Sequence, residues 1–416
     1  MALSVVATAY ACEPNQGSEP GIGWNVVREV ARLGTHLHVI TRANNRTVIE
    51  RALAEDPEPN LQFEYYDLPK WAGWWKRGRR GLQLYYYLWQ IGAYRRARVL
   101  HQEHAFDLAH HVTFGRYWTP SFLPQLRIPF VWGPIGGGEA APRGFWKSFP
   151  LSARVYESGR LIARTIGEWD PFVRRTARRC SRALPTTRET ARRLDKMAVK
   201  SATLVGNAAL GPADFDALNA VAAPQSDGAL RFVSVGRLLN WKGFSYGLEA
   251  FARAAIHDAE YWVIGDGPER GRLEQLAESL KISNQVFFLG TLSREETLAH
   301  VSECSVLVHP SLHDSGGWVV VEAMAAARPV ICLNLGGPAV VVDAESGMVV
   351  EAENRDQAVT GLAKAMSTLA DDGTRIASMG RAARERAQQH FNWVAKAKII
   401  TEAYHDVATA KEAATS

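Results

Sequence analysis

The chain has 416 residues, 47% of them apolar and 22% charged, a globular composition long enough for two or three domains. The best candidate for a membrane-spanning helix, Gly316 to Leu333, is cut by Glu322 and Arg328, so an integral membrane protein is excluded, as are fibrous and disordered classes. Lys and Arg exceed Asp and Glu by only 48 to 43, but the surplus is concentrated in the first half.

The start, MALSVVATAY, lacks a basic leader and reads as a buried strand rather than a signal peptide, which places the protein in the cytoplasm. Short β-branched runs then alternate with amphipathic helical patterns over residues 1–206, the signature of parallel βαβ units. The strand candidates are LSVVAT, HLHVIT, LQFEYY, DLAHHV, PFVWG and ATLVG; Trp24 to Leu33 and Thr176 to Leu194 are the helical ones. Between Lys70 and Arg98 there are eight basic residues and no acidic one, interleaved with Trp71, Trp74, Trp75, Tyr85, Tyr86, Tyr87, Trp89 and Tyr94. Aromatic rings beside cations suit the headgroup zone of an anionic bilayer, and a basic helix from Arg174 to Arg193 is expected to share that face. No RNA- or DNA-binding motif accompanies the segment, so nucleic acid is not an expected partner.

Residues 207–228 are rich in Ala, Pro, Gly, Asn and Asp and form the expected interdomain linker. Asp214-Phe-Asp216 falls there rather than at a strand end, and reads as helix-start capping, not a metal motif. A second αβ region, residues 229–390, carries the strands RFVSVG, YWVIG, VFFLG, SVLVH and PVICL, and a helix over Gly243 to Ala255. A last helix, about Trp393 to Ala408 within residues 391–416, follows and is expected to pack outside its own domain. Cys12, Cys180, Cys304 and Cys332 are far apart without ligand spacing, so neither disulfides nor a structural zinc are expected.

Ligands of open α/β sheets bind beyond the carboxyl ends of the strands. At such a place stands VSVGRLLNWKGF, where Gly236 allows a tight turn and Arg237 and Lys242 put two cations on one connection, suited to a diphosphate. HPSLHDSGGWVVVEAMAAARPVI sets Asp314 and Glu322 eight residues apart, with Ser315, Gly316 and Gly317 before a helix whose free N–H groups favour an anion. Glu322 then lies along the helix, where a carboxylate can accept hydrogen bonds from a ribose diol.

This ordered set resembles family 4 of the retaining glycosyltransferases, together with IGDGPERGRLEQL, VFFLGTLSREE, LNLGGPAVVV, GSEPGIGWN and DLAHHVTFG. The resemblance covers most of the chain and implies an α/β fold of GT-B architecture, two Rossmann-like domains facing each other across a cleft. It implies that Arg237 and Lys242 hold the diphosphate of a nucleotide sugar and that Glu322 binds ribose. Asp314, usually Glu in the family, would contact the transferred sugar, and Gly290 and Thr291 would read the base. Val341 stands where the family often has an acidic residue. Gly21 and Gly23 resemble a loop approaching the donor phosphates. His110 and His111 resemble the active-site histidine, although the family spacing is His-x-His; alternation along a strand sends the two to opposite faces, and His111 is favoured. Glu139, in WGPIGGGE, is the expected acceptor contact.

The implied activity is metal-independent transfer of a sugar, with retention, from a nucleoside diphosphate sugar to an acceptor hydroxyl, with no cofactor. The bilayer-seeking segment points to a lipid-linked saccharide acceptor in bacterial surface-glycan or exopolysaccharide synthesis, on the inner face of the cytoplasmic membrane. A sugar-nucleotide isomerase of the same architecture, or a non-catalytic nucleotide- or glycan-binding protein, is the alternative.

Overall fold

The computed structural model describes residues 2–73, 75, 76, 78, 80–220 and 230–415. Trp74, Arg77 and Arg79 of the basic-aromatic segment, and residues 221–228 of the expected linker, lie outside them.

Two six-stranded parallel sheets organise the chain. The first contains β1 (Ser4–Thr8), β2 (His36–Thr41), β3 (Leu61–Tyr65), β4 (Leu108–His111), β5 (Phe130–Ile135) and β6 (Arg182–Pro185), in the order β3-β2-β1-β4-β5-β6. The second contains β7 (Leu230–Val235), β8 (Ala259–Ile264), β9 (Val286–Gly290), β10 (Val306–His309), β11 (Val330–Leu333) and β12 (Gly347–Val350), in the order β12-β11-β10-β7-β8-β9. Runs such as VVA in β1, VLV in β10 and VICL in β11 are apolar and buried throughout because helices cover both faces of a parallel sheet. In each sheet the strand order reverses once, between β1 and β4 and between β7 and β10. That reversal splays the following loops apart and opens a crevice at the carboxyl ends. The loops after β7 and β10 are those that carry Arg237, Lys242 and Asp314.

One compact unit comprises Met1–Gly138, Leu161–Val205 and Trp393–Ser416; the other comprises Glu139–Arg160 and Gly206–Asn392. In the first, Trp89, Trp132, Tyr86 and Phe130 fill the core; in the second, Phe232, Phe251 and Tyr261 do. The helix Trp393–Thr415 lies against Ser18–Arg32. Among the described residues no helix is long and apolar enough to cross a membrane.

The structure departs from the sequence reading in three places. ATLVG is not a strand: Thr203 and Val205 donate to Ala183 and Pro185 of β6, whose four residues, RALP, carry too little apolar signal to be noticed. The helix read from Thr176 to Leu194, and with it the basic helix Arg174 to Arg193, is broken by β6 into Pro171–Arg178 and Arg188–Lys196, the latter capped by Thr187. In the basic-aromatic segment, Tyr85, Tyr86 and Trp89 are buried on one face of the helix Leu82–His104, where Trp89 Nε1 donates to Tyr66 O at 2.8 Å. Those three rings belong to the core and are not available to a bilayer, whereas Trp71 of the same segment is 79% exposed.

Candidate active site

The second unit builds its site from the turn after β7. Gly236 sits at φ +148, and the place its Cβ would occupy is open, Phe244 being 3.9 Å away. Arg237 is exposed, and its side chain has no carboxylate partner among the described residues. The chain then makes a short turn, Asn240–Lys242, whose Trp241 carbonyl accepts from Leu312 N–H at 2.8 Å and Ser311 Oγ at 3.3 Å. Gly243 closes it at φ +71, its missing Cβ lying 2.0 Å from Pro310 O. These bonds sew the loop after β7 to the loop after β10.

Lys242 and Asp314 are joined as a result, Nζ to Oδ2, at 2.5 Å. His309 Nε2, at the end of β10, faces the same oxygen at 3.4 Å. Asp314 Oδ1 accepts the N–H groups of Gly316 and Gly317, at 3.0 and 3.2 Å. Burial alone would raise the Asp314 pKa, but His309 and the Lys242 ammonium hold the carboxyl well below its ordinary range. Burial pushes the pKa of His309 down, against the pull of Asp314. Gly336 and Gly337 press underneath: their missing Cβ atoms would lie 2.4 Å from Asp314 O and 2.7 Å from Ser315 O. Asp314 thus occupies the N–H groups of Gly316 and Gly317, just before the helix Trp318–Ala325 whose own N–H groups the sequence reading assigned to an anion.

Glu322, along that helix, is 8% exposed and lies 3.1 Å from Arg294 Nη1. Burial raises its pKa, with Arg294 pulling the other way. Arg294 also reaches Asp214 Oδ1 at 2.9 Å, and Asp214 Oδ2 accepts Gly211 N–H at 2.9 Å at the start of the helix Pro212–Ala220. Gly290 ends β9 at φ +75, and Thr291 beyond it is exposed. Val341 is fully buried in the helical turn Pro338–Val341.

A second layer went unseen in the sequence. Tyr156 stacks on Trp241 at 4.7 Å between centroids, Trp241 stacks on His313 at 5.5 Å, and His313 Nε2 pairs with Glu157 Oε1 at 2.8 Å. The neighbours of Lys242 and Asp314 are thereby fixed by a segment that precedes Trp241 by about 85 residues and His313 by 156. Its only sequence signal is an acid on the polar face of a helical pattern. Glu139, in the same upstream segment, is 3% exposed and 3.9 Å from Arg160. Arg294 had no signal of its own beyond the Ser293–Glu296 capping box beside it.

In the first unit, Gly21 and Gly23 are within the helix Ser18–Arg32 and are buried. Their missing Cβ atoms would lie 1.9 Å from Gln16 O and 2.1 Å from Ala11 O, so the chain's own carbonyls already require glycine at both positions. Glu19 accepts Phe114 N–H at 2.8 Å and ties this helix start to the loop after β4. His110 and His111 point to opposite faces of the sheet. His110 lies 2.6 Å from both Gly133 O and Tyr404 Oη; His111 lies 3.0 Å from Tyr86 Oη and 3.3 Å from Thr8 Oγ1. Both are buried, which lowers their pKa values to about 4 and about 3.

Residues 221–386 match the family described as Glycosyl transferases group 1. Lipopolysaccharide core biosynthesis glycosyltransferase LpsE of Rhizobium meliloti is 29% identical over 180 residues, 43% of this chain and 49% of that protein. The chain spans about half or less of the curated relatives it matches, 40%, 34% and 49% of the first three. Sucrose-phosphate synthase from Thermosynechococcus elongatus superposes with a TM-score of 0.62 at 19% identity, over 98% of this chain and 100% of that one. Anabaena HepE, solved in complex with UDP, does so with a TM-score of 0.59 at 17% identity, over 98% and 100%. Such identities speak for fold alone. The similarity to the glycosyl transferases group 1 thus lies in residues 221–386, and the two parallel sheets of the chain have the GT-B architecture.

Proposed function

We propose that this chain moves a sugar from a nucleoside diphosphate sugar to an acceptor hydroxyl with retention of configuration. The observation that carries the reading is that Arg237 and Lys242 stand at the crevice of the second sheet, Arg237 exposed and without a carboxylate partner among the described residues and Lys242 held against Asp314. In this reading the diphosphate engages Arg237 and shares Lys242, while Asp314 meets the hydroxyls of the transferred sugar and Glu322 accepts from the ribose diol. The bond from the sugar C1 to the diphosphate breaks as the acceptor oxygen bonds C1 on the same face, and the acceptor proton passes to the departing phosphate. The two cations stabilise the charge that develops, and no enzymic nucleophile takes part. They do so without a divalent ion, so EDTA leaves the rate unchanged. Similarity to a lipopolysaccharide core enzyme supports a lipid-linked saccharide as acceptor, reached from the inner face of the cytoplasmic membrane.

The test is a thermal-shift panel of UDP, GDP and ADP with their sugars, followed by product analysis on the one that stabilises the protein. Lys242→Ala should abolish the shift. A shift that survives this change removes the lysine from its role, and consumption of the donor to an isomer without any acceptor replaces the transferase reading with an isomerase.

A further inference from the structure

The helix Leu151–Trp169 is amphipathic the wrong way round for a helix docked on its own protein. Its buried side chains include Glu157 and Arg164, each 4% exposed. Its large apolar side chains face solvent: Leu151 is 77% exposed, Val155 64%, Ile162 59%, Ile166 66% and Trp169 69%. At about 100° per residue these five lie within roughly 60° of one another, a stripe running about 27 Å along the helix. Single exposed apolar residues are ordinary on a protein surface; a continuous file of five marks an interaction face.

The surroundings of the stripe say what covers it. Trp169, its last member, also lines a cavity of about 380 Å3 whose other walls include Arg174, Arg178, Arg193 and Lys196. The one acid lining this cavity, Glu168, is paired with Arg193 at 3.3 Å, and Arg174 lies over the Trp169 ring at 4.4 Å. Among the described residues Arg178 and Lys196 have no carboxylate partner and both are exposed. Apolar side chains that continue into unpaired cations complement acyl chains beneath anionic headgroups. A second copy of this chain would bring the same cations to the same face.

We infer that the part of this helix within the first unit, Leu161–Trp169, and the adjoining arginine-lined cavity form a docking face for an anionic bilayer, with Ile162, Ile166 and Trp169 among the acyl chains. This does not rest on the transfer reaction, because binding is read without substrate. The docking face is a different surface from the segment Lys70 to Arg98, in which Tyr85, Tyr86 and Trp89 are in the core and Trp71 is 79% exposed.

The experiment is co-sedimentation of the full chain with vesicles of phosphatidylcholine alone or with phosphatidylglycerol. Binding is expected only to the second, and to weaken in high salt. The variant Ile162→Glu/Ile166→Glu, altered at exposed positions and checked for an unchanged melting temperature, should lose at least about tenfold in partitioning, since two apolar side chains no longer enter the lipid. Arg178→Glu/Lys196→Glu should lose the preference for phosphatidylglycerol. Failure to bind anionic vesicles, equal binding to both compositions, or variants that bind like the parent would each overturn the inference. So would a dimer in sedimentation equilibrium that Ile162→Glu/Ile166→Glu dissociates while vesicles are ignored, which would make a second copy the occupant.

Discussion

Lys242 Nζ lies 2.5 Å from Asp314 Oδ2 although 72 residues separate them in the chain. The contact exists because Trp241 O accepts from Leu312 N–H and Ser311 Oγ, joining the loop after β7 to the loop after β10, while Pro310 O packs so close to Gly243 that no Cβ fits there. It gives the lysine two partners in turn. The carboxylate holds it in place, and under the proposed function an arriving diphosphate would compete for the same ammonium at a site already assembled.

A double-mutant cycle should detect this pair. Both side chains are mostly buried, at 23% and 17% exposure, so Lys242→Met strands a carboxylate that retains only His309 and two N–H groups. We expect Lys242→Met to cost about 1–3 kcal/mol of unfolding free energy and the cycle with Asp314→Asn to give a coupling of about 1–2 kcal/mol. Urea denaturation measures both. A coupling below about 0.5 kcal/mol would reduce the pair to an ordinary surface contact.

Arg294 stands to Glu322 as Lys242 stands to Asp314, but is itself 54% exposed. Arg294→Met should therefore cost less, about 1–2 kcal/mol at pH 8. The sign of its pH dependence follows from burial, which already raises the Glu322 pKa. Without the guanidinium the folded state holds that proton more tightly still, so the deficit shrinks as pH falls through the raised value. Adding Glu322→Gln should recover most of the loss, while alone it should lower nucleotide affinity by about tenfold, as removal of a charged hydrogen-bond acceptor does. Calorimetric titration with the stabilising nucleotide checks the second part.

The two histidines give a separate acid signature. Burial depresses His110 to about 4 and His111 to about 3, against an unfolded value of 6.5. Below pH 6.5 the unfolded chain takes up protons that the folded chain refuses, so stability falls as pH drops from 6.5 and is flat above it. Each histidine should contribute on the order of 1–2 kcal/mol by pH 5. His38 and His309, also depressed, act in the same direction. Asp314, held low, loses its contribution only below about pH 4, outside that window. Denaturation of the parent and of His111→Gln at pH 7, 6 and 5 should show a shallower slope in the variant; parallel slopes would mean that the imidazole is protonated in the folded state.

What could be read from the sequence follows from where each signal is stored. The loops after β7 and β10 were legible because Gly236, Lys242 and Asp314 are chemically conspicuous types at strand ends. β6 and β12 were not, because RALP and GMVV are four residues each and are held by pairing with neighbours rather than by their own pattern. The tyrosines and the tryptophan of Leu82–His104 misled for a related reason: composition cannot say which face of a helix turns inward, and here Tyr85, Tyr86 and Trp89 do. The partnership of His313 with Glu157 and of Glu322 with Arg294 depends on distant segments meeting in space, which no local spacing encodes.

Glycine positions test the close packing around the site most directly. At Gly243 an added Cβ would lie 2.0 Å from Pro310 O, and the backbone is left-handed at φ +71. Gly271, in the helix Arg270–Ser279, has nothing within 4 Å of the same point. Gly243→Ala should therefore destabilise by about 2–4 kcal/mol, combining the steric clash with the left-handed strain. It should also weaken the nucleotide-induced thermal shift, because the loop that carries Lys242 is displaced. Gly271→Ala should raise stability by about 0.5–1 kcal/mol through helix propensity, with the shift unchanged. If the two alanines behaved alike, the proposed stitching of the loop after β7 to Pro310 would have no energetic content.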